Sequence, residues 1–266
     1  MDYKMVLIDL DDTLLDSRHN ITEKTANIIN QLLKMGIKVV LATGRMYRSS
    51  LPYARKLNLS GEIICYNGAY IRDLEKGTVI YHQPIDLALA EDIISETEKA
   101  GLYLNLYQDD ELYVSERNEK SELYREISGI ESKAVGRLSE FIKKAPTKML
   151  VIEIEREKLQ KSLAYFQEKY SSVVEITRSK EFFIEFMARG VSKGNALKIT
   201  AERHGLPLDE VIAIGDSYND ISMIKAAGIG IAVGNAPPAV KKEADIIAGN
   251  HDNEGVSTVL AEIFGI

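Results

Sequence analysis

Five short apolar runs, "KMVLI", "IKVVLA", "EIICY", "VIAI" and "IGIAV", each break off at a polar or glycine-bearing segment. They constrain this chain more than any other feature. Runs this short and this apolar read as strands covered on both faces of a sheet. The segments between them carry the helical period instead. Residues 22–35 set Ile28, Ile29, Leu32 and Leu33 on one face, and Gly36 supplies a stop. Residues 47–57 and 193–204 read as further helices, and another runs on to Ala227. Strand and helix in alternation predict an α/β fold with a parallel sheet and right-handed crossovers.

Between residues 83 and 188 the rhythm changes. Residues 87–100 read as a helix, and "YLNLYQ" and "ELYVS" flank Asp109-Asp110 as a hairpin. "KMLVIEI", a helix near 157–170, "VVEITR" and "FFIEFM" follow, with several of the strands expected to be antiparallel. The expected organisation is an α+β domain, residues 83–188, inserted into a core made of residues 1–82 and 189–266.

Composition excludes several classes. A chain of 266 residues can bury a real core, and its net charge of −7 with a pI near 5.3 argues against nonspecific binding to nucleic acid or anionic membrane. The single cysteine, Cys65, cannot form an internal disulfide, which fits a reducing cytosol. No basic segment followed by a long apolar stretch opens the chain, and no run approaches ~18 apolar residues. These features predict a soluble, cytoplasmic protein, a monomer or small homo-oligomer, without a nucleic-acid or membrane partner.

In parallel sheets, ligands gather beyond the carboxyl ends of the strands. There the first strand runs into "DLDDTLLD", which crowds Asp9, Asp11, Asp12 and Asp16 together. Such a loop is either solvated or compensated by a cation. "GDSYND" sets Asp216 and Asp220 after "VIAI" in the same way. Carboxylates converging without His or Cys suit a hard, oxygen-preferring ion, Mg²⁺ first. The alternative is that Asp-rich turns cap helices, and it stays open for Asp16 and Asp220. Thr43, likewise, suits a cap on the helix that follows it. The glycines of "AGIGIAVG" follow a helix and lack dinucleotide-loop spacing, and no phosphate-binding GxxxxGK[ST] is present. His19, His82, His204 and His251 show no ligand or triad spacing.

"DLDDT" resembles the first motif, Asp-x-Asp-x-Thr, of the haloacid dehalogenase superfamily of phosphohydrolases. "LATGR", "VSKG" and "GDSYND" are similar to its second, third and fourth motifs, in the family's order. The insert and the tail "AVGNAPPAVKKEADII…DNEGV" resemble the Cof-like branch. The resemblance implies a HAD-like Rossmannoid core with an inserted α/β cap, and a Mg²⁺-dependent phosphomonoester hydrolase of a small phosphorylated metabolite. A sugar phosphate is the foremost substrate expected; flavin mononucleotide, pyridoxal phosphate and phosphorylated riboflavin precursors are others. A phosphosugar mutase and a non-enzymatic phospho-acceptor are the alternatives.

By the same resemblance, Asp9 is the nucleophile that becomes an aspartyl-phosphate, and Asp11 the general acid and base. The ion is held by Asp9, Asp216 and the Asp11 carbonyl, with Asp220 behind it. Thr43 and the Leu10 amide offer donors to the phosphoryl group, Lys193 supplies charge, and Asn219 matches a phosphate-contacting position. Gly44, Arg45, Asn67 and Gly68 fall on the phosphate and substrate side. Arg178 and Glu185 are specificity candidates of the insert. Asp12 replaces the family's usual glycine, and His251 an asparagine common in the Cof-like tail. Lys193 opens a helix, where the dipole disfavours a cation, which favours a functional reason for it.

Overall fold

The computed structural model describes residues 3–178 and 180–266. The chain divides into two compact units, Met1–Tyr81 with Ser192–Ile266, and His82–Val191. The sequence placed these divisions at 82/83 and 188/189. In the first part of the chain, β1 (Met5–Ile8), α1 (Glu23–Lys34), β2 (Lys38–Ala42), α2 (Tyr47–Lys56) and β3 (Glu62–Cys65) alternate, followed by β4 (Tyr70–Asp73) and β5 (Val79–His82). The insert runs α3 (Leu87–Lys99), β6 (Tyr103–Gln108), β7 (Glu111–Val114), α4 (Glu119–Ser128), β8 (Lys133–Ala134), α5 (Leu138–Phe141), β9 (Lys148–Ile152), α6 (Arg156–Tyr170), β10 (Val174–Thr177) and β11 (Phe183–Ala188). Alternation then resumes with α7 (Lys193–Arg203), β12 (Val211–Gly215), α8 (Ile221–Ala226), β13 (Ile229–Ala232), α9 (Pro238–Lys241), β14 (Ile246–Ile247) and α10 (Gly255–Phe264).

The first unit is built on a sheet of order β14-β13-β12-β1-β2-β3-β4-β5, parallel from β14 to β3 and antiparallel between β3 and β4. Every residue of β1, β3 and β12 is buried, as strands covered on both faces require. Met5, Leu7, Val40, Ile64, Ala196, Leu197, Val211 and Ala213 share one core cluster. Truncating a side chain such as Leu7 to alanine would cost about 2–5 kcal/mol. On α1, Ile28, Ile29 and Leu32 form the buried stripe, while the Thr22 hydroxyl accepts from the Thr25 amide to open the helix. Ile8 lies opposite both Ile214 and Leu41, so the carboxyl ends of β1, β2 and β12 stand in line. The residues that follow them, Asp9, Thr43 and Asp216, therefore emerge along one edge.

The second unit has a mixed sheet of order β10-β11-β9-β6-β7-β8, in which only β7 and β8 run parallel among the described pairs. Asp109 and Asp110 both have positive φ, 54° and 56°, as a two-residue hairpin turn demands. The sheet's two faces differ in chemistry. Leu104, Leu106, Met149, Val151, Ile184 and Phe186 pack into the apolar core on one face. Asn105, Tyr107, Lys148 and Glu185 occupy the other face and are also buried, with Lys148 and Glu185 paired at 2.8 Å.

Candidate active site

β1 delivers Asp9 into the first unit with its amide bonded to the Ile214 carbonyl at 3.0 Å. The chain then makes one wide helical turn, Leu10–Leu14, closed by the Leu15 amide on the Leu10 carbonyl at 2.9 Å. Asp12 takes φ +56° inside it, a left-handed conformation that Asp tolerates better than most residues, so the departure from glycine is accommodated. α7 begins at Lys193, with the Ser192 hydroxyl accepting from the Asn195 amide. The Lys193 ammonium is fully buried and lies 2.5 Å from both Asp9 Oδ1 and Asp220 Oδ1. The other Asp220 oxygen accepts from the Asp216 and Ser217 amides at 3.0 and 2.9 Å. Thr13 Oγ1 donates to Asp216 Oδ1 at 2.9 Å. Residues from three separated segments thus meet in one buried cluster.

The cluster is unbalanced in charge. Burial pushes the Asp9 carboxyl well up, and the neighbouring charges of Asp220, Asp216 and Asp11 add to this against the pull of Lys193. Asp216 is pushed up to about 7 by burial and by Asp220, with the Thr13 hydrogen bond opposing. Lys193 is held above the ordinary lysine range despite its burial, because Asp220 and Asp9 favour its charge. Among the described residues, Asp9, Asp216 and Asp220 bring carboxylate oxygens within 4.8 Å of one another. All-oxygen donors and an excess of buried negative charge fit a hard divalent cation. Asp9 and Asp216 have the oxygens to offer. Both Asp220 oxygens are engaged by Lys193 and the two amides, which fits a supporting place behind the ion.

Further out, Arg45 grips Asp11 with Nε at 2.8 Å and Nη2 at 2.5 Å, and its guanidinium lies 5.2 Å from the Tyr53 ring centre. The Thr43 hydroxyl accepts from the Arg45 amide at 3.1 Å, while α2 begins only after Met46, so Thr43 is not that helix's cap. Asn219 Nδ2 donates to Asn67 Oδ1 at 2.9 Å. Asp16 does not cap α1; it closes its own loop through the Arg18 and Asn20 amides. His251 Nδ1 meets the Leu15 carbonyl at 2.9 Å, just behind the wide turn, and His204 pairs with Glu62. Arg178 and Glu185 belong to the second unit's segment. Sequence reasoning gave no role to Thr13, although it completes the Asp-x-Asp-x-Thr pattern. It also passed over Ser222, whose hydroxyl accepts from the Gly194 amide at 3.0 Å and fixes the start of α7.

A family model described as haloacid dehalogenase-like hydrolase matches residues 6–260. The chain belongs to that family. It is a phosphatase of the Cof-like branch, with the parallel-sheet core and mixed-sheet cap of subclass IIB. Two Bacillus subtilis proteins are similar over nearly their whole length. Phosphatase YwpJ is 30% identical over 98% of this chain and 99% of its own. The 5-amino-6-(5-phospho-D-ribitylamino)uracil phosphatase YitU is 28% identical over 98% of each. Among solved structures, TM0651 from Thermotoga maritima superposes with a TM-score of 0.90 and 33% identity, covering 98% of this chain and 97% of that one. The subclass IIB sugar phosphatase BT4131 gives a TM-score of 0.82 at 27% identity, covering 98% and 99%. No helix among the described residues is long and apolar enough to cross a membrane.

Proposed function

We propose that this phosphatase is Mg²⁺-dependent and hydrolyses a small phosphate ester through an aspartyl-phosphate on Asp9. The observation that carries the reading is the buried Lys193 ammonium, shared between Asp9 and Asp220 beside Asp216. Asp9 and Asp216, with the Asp11 carbonyl, would hold the cation, and Asp220 would fix Lys193 and the Asp216 loop. When bound, the cation offsets repulsion between a carboxylate nucleophile and a phosphate dianion.

Asp9 attacks phosphorus, forming its O–P bond as the ester P–O bond breaks. Asp11 gives its proton to the departing alkoxide, then takes one from the water that attacks the aspartyl-phosphate. That second step releases orthophosphate and regenerates the Asp9 carboxylate. Lys193, Thr43, Asn219 and the Leu10 amide supply positive charge or donors to the phosphoryl oxygens. Arg45 has two anionic partners in this scheme, Asp11 in the free chain and the phosphate when the ester arrives. Exchange between them frees Asp11 for proton transfer.

For the substrate, we infer a phosphate carried on a hydroxyl-rich carbon chain, a sugar phosphate foremost. One relative is named for a sugar and another for a phosphoribityl group, both phosphates on polyhydroxylated carbon. The test is phosphate release with Mg²⁺ from a panel of hexose and pentose phosphates, ribityl phosphates, flavin mononucleotide and pyridoxal phosphate. Sugar or ribityl phosphates should lead by kcat/KM. A positional isomer appearing in place of inorganic phosphate would make the protein a mutase.

A further inference from the structure

The tripeptide Tyr66-Asn67-Gly68, directly after β3, adopts an unusual backbone. Tyr66 and Asn67 both lie in the left-handed region, at φ +50° and +54°, where a bulky residue such as tyrosine is rarely found. Such strain persists only where the surroundings over-determine it, and three sets of contacts do so here. The Tyr66 and Asn67 amides donate to the Arg45 and Thr43 carbonyls at 2.9 and 3.0 Å, zipping the turn to the loop after β2. Asn67 Oδ1 accepts from Asn219, on the loop after β12. Gly68, at φ +103°, lies so close to the start of α7 that a Cβ would fall 2.4 Å from the Ser192 carbonyl oxygen. Gly44 is equally constrained, because a Cβ there would stand 2.8 Å from Asn67 Oδ1. One turn therefore sets the spacing of the loops that carry Thr43, Asn219 and Lys193.

We propose that Asn67 is a positioning residue that acts through Asn219 and the Thr43 loop, and that the turn serves to register the phosphoryl donors. The inference rests on the proposed reading in which those residues surround the phosphoryl group. Asn67 is 7% exposed, and its carbonyl oxygen is already committed to Asn219. A misplaced donor loses most of its effect in the transition state, because its value depends on geometry fixed before reaction.

Asn67→Gly isolates the role. Glycine adopts positive φ freely and keeps both amide donors, so only the carboxamide is lost. With p-nitrophenyl phosphate and Mg²⁺, kcat should fall by about tenfold or more while KM stays within about twofold, the signature of an interaction made in the transition state. The melting temperature should stay near that of the wild type. Asn219→Ala should lose at least as much, and the double variant should lose no more than Asn219→Ala alone, because the two residues act in series. A raised KM with unchanged kcat, or losses that multiply in the double variant, would overturn the proposal. If Asp9→Asn and Asn219→Ala both left phosphate release intact, the site reading itself would fail and this inference with it.

Discussion

Asp220→Asn is nearly isosteric, yet the structure predicts that it is as damaging as Asp220→Ala. The fully buried carboxylate accepts from three donors: Lys193 on one oxygen, and the Asp216 and Ser217 amides on the other. A carboxamide has one oxygen. In one orientation its NH₂ faces the Lys193 ammonium, and in the other it faces two backbone N–H groups. Either way buried donors confront a donor, at about 1–3 kcal/mol for each orphaned group. Lys193 also loses one of its two counter-charges, and breaking a buried pair costs about 3–5 kcal/mol. Taking about 3–5 kcal/mol as the whole, and about 2–4 °C per kcal/mol for a domain of this size, the melting midpoint should drop by roughly 6–20 °C. Turnover should fall by about 10² or more, since Lys193 and the Asp216 loop lose their common anchor. Calorimetry and steady-state kinetics on both variants test this. A substituted protein within about 1 kcal/mol of wild type, with most of its kcat, would refute the assignment of Asp220 as the group that holds Lys193 and the loop together.

Further outcomes follow from the same cluster. Asp216 is pushed up to about 7 in the cation-free chain, above its unfolded value. Its contribution to stability is complete below about pH 4 and is lost as pH rises through about 7. In EDTA, this group should therefore lower the melting temperature between about pH 4 and pH 7, with the loss levelling off above about 7. Added Mg²⁺ should reverse the fall and Asp216→Asn should flatten it; a midpoint that rises over this range in EDTA would contradict the assignment. Asp11→Asn should cost about 10²–10⁴ in turnover of an alkyl phosphate and less on p-nitrophenyl phosphate, whose leaving group hardly needs a proton; equal losses on both would leave Asp11 a shaping role only. EDTA should silence phosphate release and Mg²⁺ restore it, while Ca²⁺ should not, because its larger, looser oxygen shell misplaces the nucleophile; activity in chelator would sink the metal-site reading.

Strands buried on both faces declared themselves in sequence, because their apolar runs stop where the polar and glycine-bearing loops at the sheet's carboxyl edge begin. β1, β2, β3, β12 and β13 were all legible for that reason, and the loops after them pointed to Asp9, Thr43 and Asp216. β4 and β5 were not. They close the sheet at its margin, where β5 offers only the three-residue run "VIY" with Val79 half exposed, and β4 ("YIRD") buries a single aliphatic side chain, Ile71. α4 escaped for a related reason, since its only buried residue is Ser121, although the Asn118 capping box was there to be read. Within the site, side-chain types announced the acids and the lysine but not their pairing. That Asp220 spends both oxygens inside the protein, and that Arg45 holds Asp11, depends on a loop geometry that residue spacing does not encode. Thr13 stood in plain view between two acids' motifs, and only the distance to Asp216 gives it a partner.

The central claim is that Asp9 becomes phosphorylated. Acid-quenching the Mg²⁺-loaded enzyme during turnover of a radiolabelled phosphate ester, followed by peptide mapping, addresses it directly. The account predicts an alkali-labile label on the peptide that contains Asp9, and no label or turnover in Asp9→Asn. Label on another residue, or undiminished phosphate release by Asp9→Asn, would contradict it.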